Sequence, residues 1–179
     1  MSCASTSLVQ SDSLQDCFCN GGFTGAGGGD CTVCVAGKYK EVPGDSACIS
    51  CEVGHYSTTV AATSRTTCLS CPSNSNSGAA SAFLTDCKCN SGSTGSDGFA
   101  CSLCAAGTYK IATGSVACTN CSANQYSTVI GATSDVCLGC NVHSTSPETS
   151  TKQLDCICDA GFTGPNGGLA CAACVAGTF

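Results

Sequence analysis

Cysteine arrives in pairs, and the pairs recur at a fixed step. The chain has 21 cysteines in 179 residues. Cys17-x-Cys19 returns as Cys87-x-Cys89 and Cys156-x-Cys158, at steps of 70 and 69 residues. Cys31-x-x-Cys34 returns as Cys101-x-x-Cys104 and Cys171-x-x-Cys174; Cys48-x-x-Cys51 returns as Cys118-x-x-Cys121; Cys68-x-x-Cys71 returns as Cys137-x-x-Cys140. A sustained internal period is the signature of a repeat architecture. The frame divides the chain into the tail of one unit (1–15), two whole units (16–85 and 86–154) and the start of a third (155–179).

This composition cannot build an ordinary core. Aromatic residues are 6% of the chain, there is no tryptophan, and glycine numbers 22. Small domains with so little apolar material are held by disulfides or metals. Disulfides persist in oxidising compartments, which predicts a secreted protein or an extracellular surface. The net charge is −6, and the six basic residues Lys38, Lys40, Arg65, Lys88, Lys110 and Lys152 form no run. That pattern carries no nucleic-acid footprint and no polybasic membrane signal. No apolar run approaches the ~18–20 residues of a membrane span. Met1–Thr6 lacks the basic and apolar regions of a signal peptide, so the expectation is a piece of a longer secreted chain.

Inside each unit a second pattern follows most CxxC pairs: two residues, then glycine, one residue, then an aromatic. Gly37/Tyr39, Gly54/Tyr56, Gly107/Tyr109 and Gly177/Phe179 fit it, and Asn124 stands for glycine before Tyr126. Glycine and asparagine adopt positive φ most readily, so each predicts a tight left-handed turn. The third CxxC of each unit, ending at Cys71 and Cys140, lacks this signature. Segments between cysteines are rich in Gly, Ser and Thr without a 3.6-residue period, which argues against helix. The runs Tyr56–Val60 and Tyr126–Ile130 are candidates for short two-stranded hairpins.

Spacing alone does not fix the cysteine pairing. One solution bonds the second cysteine of each pair to the first of the next: Cys3–Cys17, Cys19–Cys31, Cys34–Cys48, Cys51–Cys68, Cys71–Cys87, Cys89–Cys101, Cys104–Cys118, Cys121–Cys137, Cys140–Cys156 and Cys158–Cys171. It leaves Cys174 over, its partner expected beyond Phe179. Interleaved pairing, first to third and second to fourth, is the competing solution. In the ladder each bridge closes a loop of about 13–18 residues, worth about 3 kcal/mol in the chain-entropy model. Loops that pack only on their neighbours give a nearly one-dimensional stability. The expected fold is small and disulfide-rich, mostly irregular with short β-hairpins, drawn out as an elongated tandem-repeat rod.

The stretches Cys31–Tyr39 to Gly44–Cys51 and Cys101–Tyr109 to Gly114–Cys121 resemble the ephrin-receptor-like, growth-factor-receptor-type cysteine-rich repeat. They are similar to the first loop module of tumour necrosis factor receptors. The segment from Asp16 through Gly22-Phe23-Thr24-Gly25 to Cys31 resembles the C-terminal half of an EGF-like module. In that half the second cysteine of CxC bonds the next cysteine, which the ladder shares. The resemblance implies an elongated extracellular array, of the kind found in receptor ectodomains and in large surface proteins of unicellular eukaryotes. The acidic signature of calcium-binding EGF modules does not precede the CxC pairs, and Ser93 replaces the aromatic in the middle unit.

Sharper readings are weaker. A redox CxxC stands alone in a thioredoxin-like pattern, whereas these are regular and followed by turns. CxxC repeated is also a zinc-ribbon spacing, but CxC–CxxC alternation is not a zinc pattern. His55 and His143 occupy non-equivalent positions and read as surface residues. Asp16, Asp86 and Asp155 recur before the CxC pairs and read as turn caps on local N–H groups, with a calcium or partner contact as the alternative. No nucleophile–base constellation stands out, so neither an enzyme nor a cofactor is expected. Asn120-Cys121-Ser122 fits the N-glycosylation sequon, with a bridged residue in its middle. The Ser/Thr-rich stretches 4–13, 57–67, 73–81 and 144–151 are candidates for O-glycans.

The sequence therefore points to a structural segment of an extracellular fibre, stalk or surface appendage, a flagellar-hair-like filament being one form. Its expected partners are itself or other extracellular structural proteins, and glycans. The alternative is a ligand-binding receptor or adhesin ectodomain. Binding modules break their own repeat at the contact site, and here Phe83 and Phe99 are the only extra rings of the second half-unit region.

Overall fold

The computed structural model describes residues 18–168 and 170–175. Among them the chain divides into two compact units, one running to Lys88 with Asp97–Ala100, the other comprising Cys89–Ser96 and the residues from Cys101 onward. Both are tandem two-stranded antiparallel hairpins with no α-helix among the described residues.

In the first unit Phe23–Thr24 pairs with Thr32–Val33, Lys38–Tyr39 with Ile49–Ser50, and His55–Tyr56 with Leu69–Ser70. In the second, Ser93–Thr94 pairs with Ser102–Leu103, Thr108–Tyr109 with Thr119–Asn120, and Gln125–Tyr126 with Leu138–Gly139. Ser144–Thr145 with Ile157–Cys158 and Phe162–Thr163 with Ala172–Ala173 complete it. The second strand of each of these hairpins lies between the two cysteines of a pair, except Ile157–Cys158, which takes in the second cysteine of its CxC. This differs from the runs expected to form hairpins: only Tyr56 and Tyr126 of those runs are in strands, and Val60 and Ile130 lie exposed beyond them. The tyrosine pairs instead with the apolar residue after the next cysteine, Tyr56 with Leu69 and Tyr126 with Leu138. Such aromatic–aliphatic cross-strand pairs stabilise a ribbon by a few tenths of a kcal/mol up to about 1 kcal/mol.

Extended backbone rules out a bond within a CxxC pair. Residues i and i+3 of a strand are separated by roughly 10 Å, whereas bridged cysteines here have Cα atoms 5.6–5.8 Å apart. The two cysteines of a CxxC therefore cannot bond each other, and each reaches a different loop. Among the described residues nine disulfides do this: Cys19–Cys31, Cys34–Cys48, Cys51–Cys68 and Cys71–Cys87 in the first unit; Cys89–Cys101, Cys104–Cys118, Cys121–Cys137, Cys140–Cys156 and Cys158–Cys171 in the second. Every one joins the second cysteine of a pair to the first of the next. Cys3 and Cys17 lie outside the described residues. Cys174 is a half-buried free thiol.

The sulfurs are the core. Most buried apolar residues are half-cystines, joined by Tyr39, Ala62 and Ala132. Turns of positive φ open the hairpins at Gly37, Gly54, Gly107 and Asn124, and also at Gly22, Gly92 and Gly161 after the CxC pairs. The third CxxC of each unit has the same turn, carried by Asn74 and His143 (φ 57° and 58°), although the sequence shows no glycine there. Gly177 lies outside the described residues.

Three-residue 3₁₀ turns at Arg65–Thr67, Leu84–Asp86 and Gln153–Asp155 lead into Cys68, Cys87 and Cys156. Asp86 Oδ2 accepts the N–H groups of Ala82 and Phe83 at 2.9 Å, and Asp155 Oδ2 accepts those of Thr151 and Lys152 at 2.9 and 3.2 Å. The recurrent aspartates are caps. Asp16 lies outside the described residues.

Candidate functional site

The conspicuous feature of this chain is the seam where one disulfide loop meets the next. In the first unit the N–H of Gly37 donates to Ser57 O (2.7 Å), that of Lys40 to Ala62 O (2.9 Å) and that of Ser57 to Ser81 O (3.1 Å). The same seam recurs in the second unit: Gly107 to Ser127 O (2.8 Å), Lys110 to Ala132 O (3.0 Å) and Ser127 to Ser150 O (3.1 Å). Return bonds run from Ala61 N to Cys34 O and Ala80 N to Cys51 O, matched by Gly131 N to Cys104 O and Thr149 N to Cys121 O.

Coupling does not stop at the neighbouring loop, which corrects the nearest-neighbour expectation. The α-carbon of Gly22 lies against Ala61 O, Gly37 against Ala80 O, Gly92 against Gly131 O and Gly107 against Thr149 O, each so close that no β-carbon would fit. Each contact skips the loop between. Gly54 has only the Asn76 side chain 3.0 Å from where its β-carbon would sit, which explains why asparagine is accepted at the equivalent position 124. The glycine pattern thus encodes close approach as well as left-handed backbone, and the sequence distinguishes the two only through that asparagine.

Polar side chains are drawn into the seam. Ser57, Ser77, Ser146 and Ser150 are buried. Ser77 Oγ donates to His55 O at 2.9 Å, Ser146 Oγ to Gln125 O at 3.2 Å and Ser150 Oγ to Pro147 O at 2.8 Å. These hydroxyls are therefore not glycan acceptors on the folded surface, which narrows the Ser/Thr-rich candidates to exposed members such as Thr58, Thr59, Thr145 and Thr149. Lys40 and Lys110 are buried too, at 1% and 2% exposure. In the sequence they are two of six scattered bases, set apart only by their recurrence after Tyr39 and Tyr109.

Neither histidine stands in a reactive constellation. His55 Nδ1 lies 3.3 Å from Val53 O, beside the exposed Glu52–Arg65 pair at 3.0 Å. His143 stacks on Phe162, ring centroids 3.9 Å apart. Asn120 is exposed on its strand, next to the buried Cys121. Exposed apolar side chains are frequent; Phe83, Leu84 and Phe99 belong to the first unit, and the second has Lys152 and Gln153 where Phe83 and Leu84 stand.

The sequence matches the family described as tyrosine-protein kinase ephrin type A/B receptor-like over residues 21–68 and 92–137, just over half of the chain. This chain belongs to the ephrin-receptor-like family of cysteine-rich repeats. The two matched copies fall in the same frame as the cysteines, and each begins within the segment that resembles half an EGF-like module. No curated protein matches the chain. Ephrin-receptor-like repeats stapled by disulfides are modules of the extracellular space, of receptor-like or structural type. No described helix is long and apolar enough to cross a membrane.

Proposed function

We propose that this chain is a structural segment of an extracellular fibre, stalk or surface appendage, built from the repeats 16–85 and 86–154 in tandem, and that it is not an enzyme. The observation that carries this reading is the seam: each bond from Gly37, Lys40 and Ser57 has its counterpart from Gly107, Lys110 and Ser127. A scaffold reproduces one joint along its length. A filament, of flagellar-hair type for example, is the concrete form this reading favours, with copies of the chain or other extracellular structural proteins as partners. A single N-glycan at Asn120 fits its exposure and sequon; its check is a mass shift of the 120-containing peptide on deglycosylation.

A second reading is a receptor or adhesin ectodomain. It rests on Phe83 and Phe99, exposed at 61% and 67%, where the repeat departs from its own pattern. Negative-stain imaging of the native material separates the two. Filaments with a regular axial spacing support the structural reading. Isolated molecules on a membrane, with binding lost in Phe83→Ser/Phe99→Ser, overturn it.

A further inference from the structure

Lys40 and Lys110 bury their side chains without a carboxylate partner: the ion pairs among the described residues are Arg65–Glu52, Lys88–Asp97 and Lys152–Asp155. Burying an ammonium in protein is costly unless its N–H groups are satisfied. Here backbone carbonyls accept from each ammonium twice. Lys40 Nζ donates to Phe23 O at 2.8 Å and to Gly44 O; Lys110 Nζ donates to Ser93 O at 2.5 Å and to Gly114 O. Phe23 and Ser93 belong to the loop closed after a CxC pair, Gly44 and Gly114 to the loop that follows. The lysine backbone extends the tie, since Lys40 O accepts Gly22 N–H and Lys40 N donates to Ala62 O; Lys110 does the same with Gly92 and Ala132. One residue thus touches three successive loops.

The lysine marks one kind of joint. At the same position after Tyr56 and Tyr126, where the preceding loop follows a CxxC, serine is buried instead and accepts the N–H of Thr59 or Val129. A positive charge held between two main-chain oxygens from successive loops shares one feature with a hard metal ion, which also gathers oxygen ligands from separated segments.

We propose that Lys40 and Lys110 are built-in cations that fix the register of each CxC loop on the loop after it, so that this joint is held without any divalent metal. The ammonium gathers Phe23 O and Gly44 O, or Ser93 O and Gly114 O, in the role a bound calcium ion plays between extracellular modules. A flanking bond from Thr24 Oγ1 to Ser46 O (3.1 Å), repeated from Thr94 Oγ1 to Val116 O (3.3 Å), lies across the same joint.

Three measurements on the full, disulfide-intact chain test this. Native labelling with an amine-reactive ester, read by peptide mass spectrometry, is expected to modify Lys38, Lys88 and Lys152 and to spare Lys40 and Lys110 until unfolding. Labelling of Lys40 and Lys110 as fast as Lys88 overturns the proposal, and this arm needs no variant to fold. Lys40→Met and Lys110→Met keep the aliphatic stem and remove the charge; amide exchange at Gly22 and Gly44, or Gly92 and Gly114, is expected to quicken by about tenfold or more, the scale of one charge-assisted hydrogen bond. Exchange unchanged in both variants overturns the cation's role and leaves only packing. Finally, the melting temperature of the wild type is expected to be the same in calcium and in chelator; a drop in chelator overturns the claim of metal independence.

Discussion

The α-carbon of Gly37 lies against the carbonyl oxygen of Ala80, reaching past the whole Cys51–Cys68 loop. A methyl group at position 37 has no room and meets backbone, which cannot swing aside. Gly37 also has φ of 80°, so alanine there adds conformational strain to overlap. Gly37→Ala is expected to cost about 2–4 kcal/mol, combining overpacking with the left-handed penalty. Gly54→Ala, with the same φ but only the Asn76 side chain nearby, is expected to cost about 1–2 kcal/mol. Denaturant titration with disulfides intact measures both, and equal losses would count against the close approach.

The reverse substitution tests the partner of that contact. Ala80 and Ala61 hold φ of 60° and 55°, and Thr149 holds 61°, while Gly131 fills the equivalent place in the second unit. Left-handed backbone costs a β-carbon-bearing residue about 1–2 kcal/mol, and glycine's freedom in the unfolded chain returns up to about 1 kcal/mol of that. Ala61→Gly, Ala80→Gly and Thr149→Gly are therefore each expected to be neutral to stabilising, by up to about 1 kcal/mol. Elsewhere in this fold an alanine-to-glycine change should destabilise. Melting temperatures of the three variants, set beside that of exposed Ala112→Gly, decide the point.

Asp86 caps the turn before Cys87 through one oxygen that accepts two N–H groups. Its removal leaves two donors to water at the mouth of a disulfide. Asp86→Ala is expected to cost about 1 kcal/mol, the usual worth of a cap, and Asp155→Ala the same. The Lys152–Asp155 contact at 4.0 Å between partly exposed groups adds little, so salt should leave the Asp155 effect nearly unchanged. Faster amide exchange at Phe83 and Lys152 locates the loss in the cap itself.

How much of this was visible in the sequence follows from which residues have a side-chain signature. The half-cystine frame, the turn at Gly37 or Gly54 and the caps at Asp86 and Asp155 each depend on a residue type that does one thing well, and their spacing repeats. The strands were displaced because two-residue strands carry no alternation to read; their second halves hide between paired cysteines, as at Ile49–Ser50. The turns at Asn74 and His143 escape the pattern because no aromatic follows two residues on, Asn76 and Thr145 standing there; Asn74 is itself a permissive residue, whereas at His143 the loop imposes the left-handed backbone. The buried lysines were missed because lysine is ordinarily a surface residue, and only its recurrence at positions 40 and 110 distinguishes it. Backbone contacts such as Gly37 on Ala80 leave no mark beyond a glycine that has two reasons to be there.

The Cys51–Cys68 bridge allows the reach of the seam to be measured. Replacing both cysteines by alanine opens a loop of about the size whose closure is worth about 3 kcal/mol. If loops met only their neighbours, the damage would end at the loops closed by Cys34–Cys48 and Cys71–Cys87, each losing one side of its contacts. The structure adds a contact that passes over the missing loop, Gly37 on Ala80, and that contact depends on the intervening loop holding both ends at the right separation. Ser57 is the hinge of that arrangement, accepting from Gly37 N–H at 2.7 Å and donating to Ser81 O at 3.1 Å. Cys51→Ala/Cys68→Ala is therefore expected to speed amide exchange at Gly37 and Lys40 on one side and at Ala80 on the other together, with one common opening rate. Independent rates on the two sides, or protection retained at Gly37, would show that each loop answers only to its own disulfide.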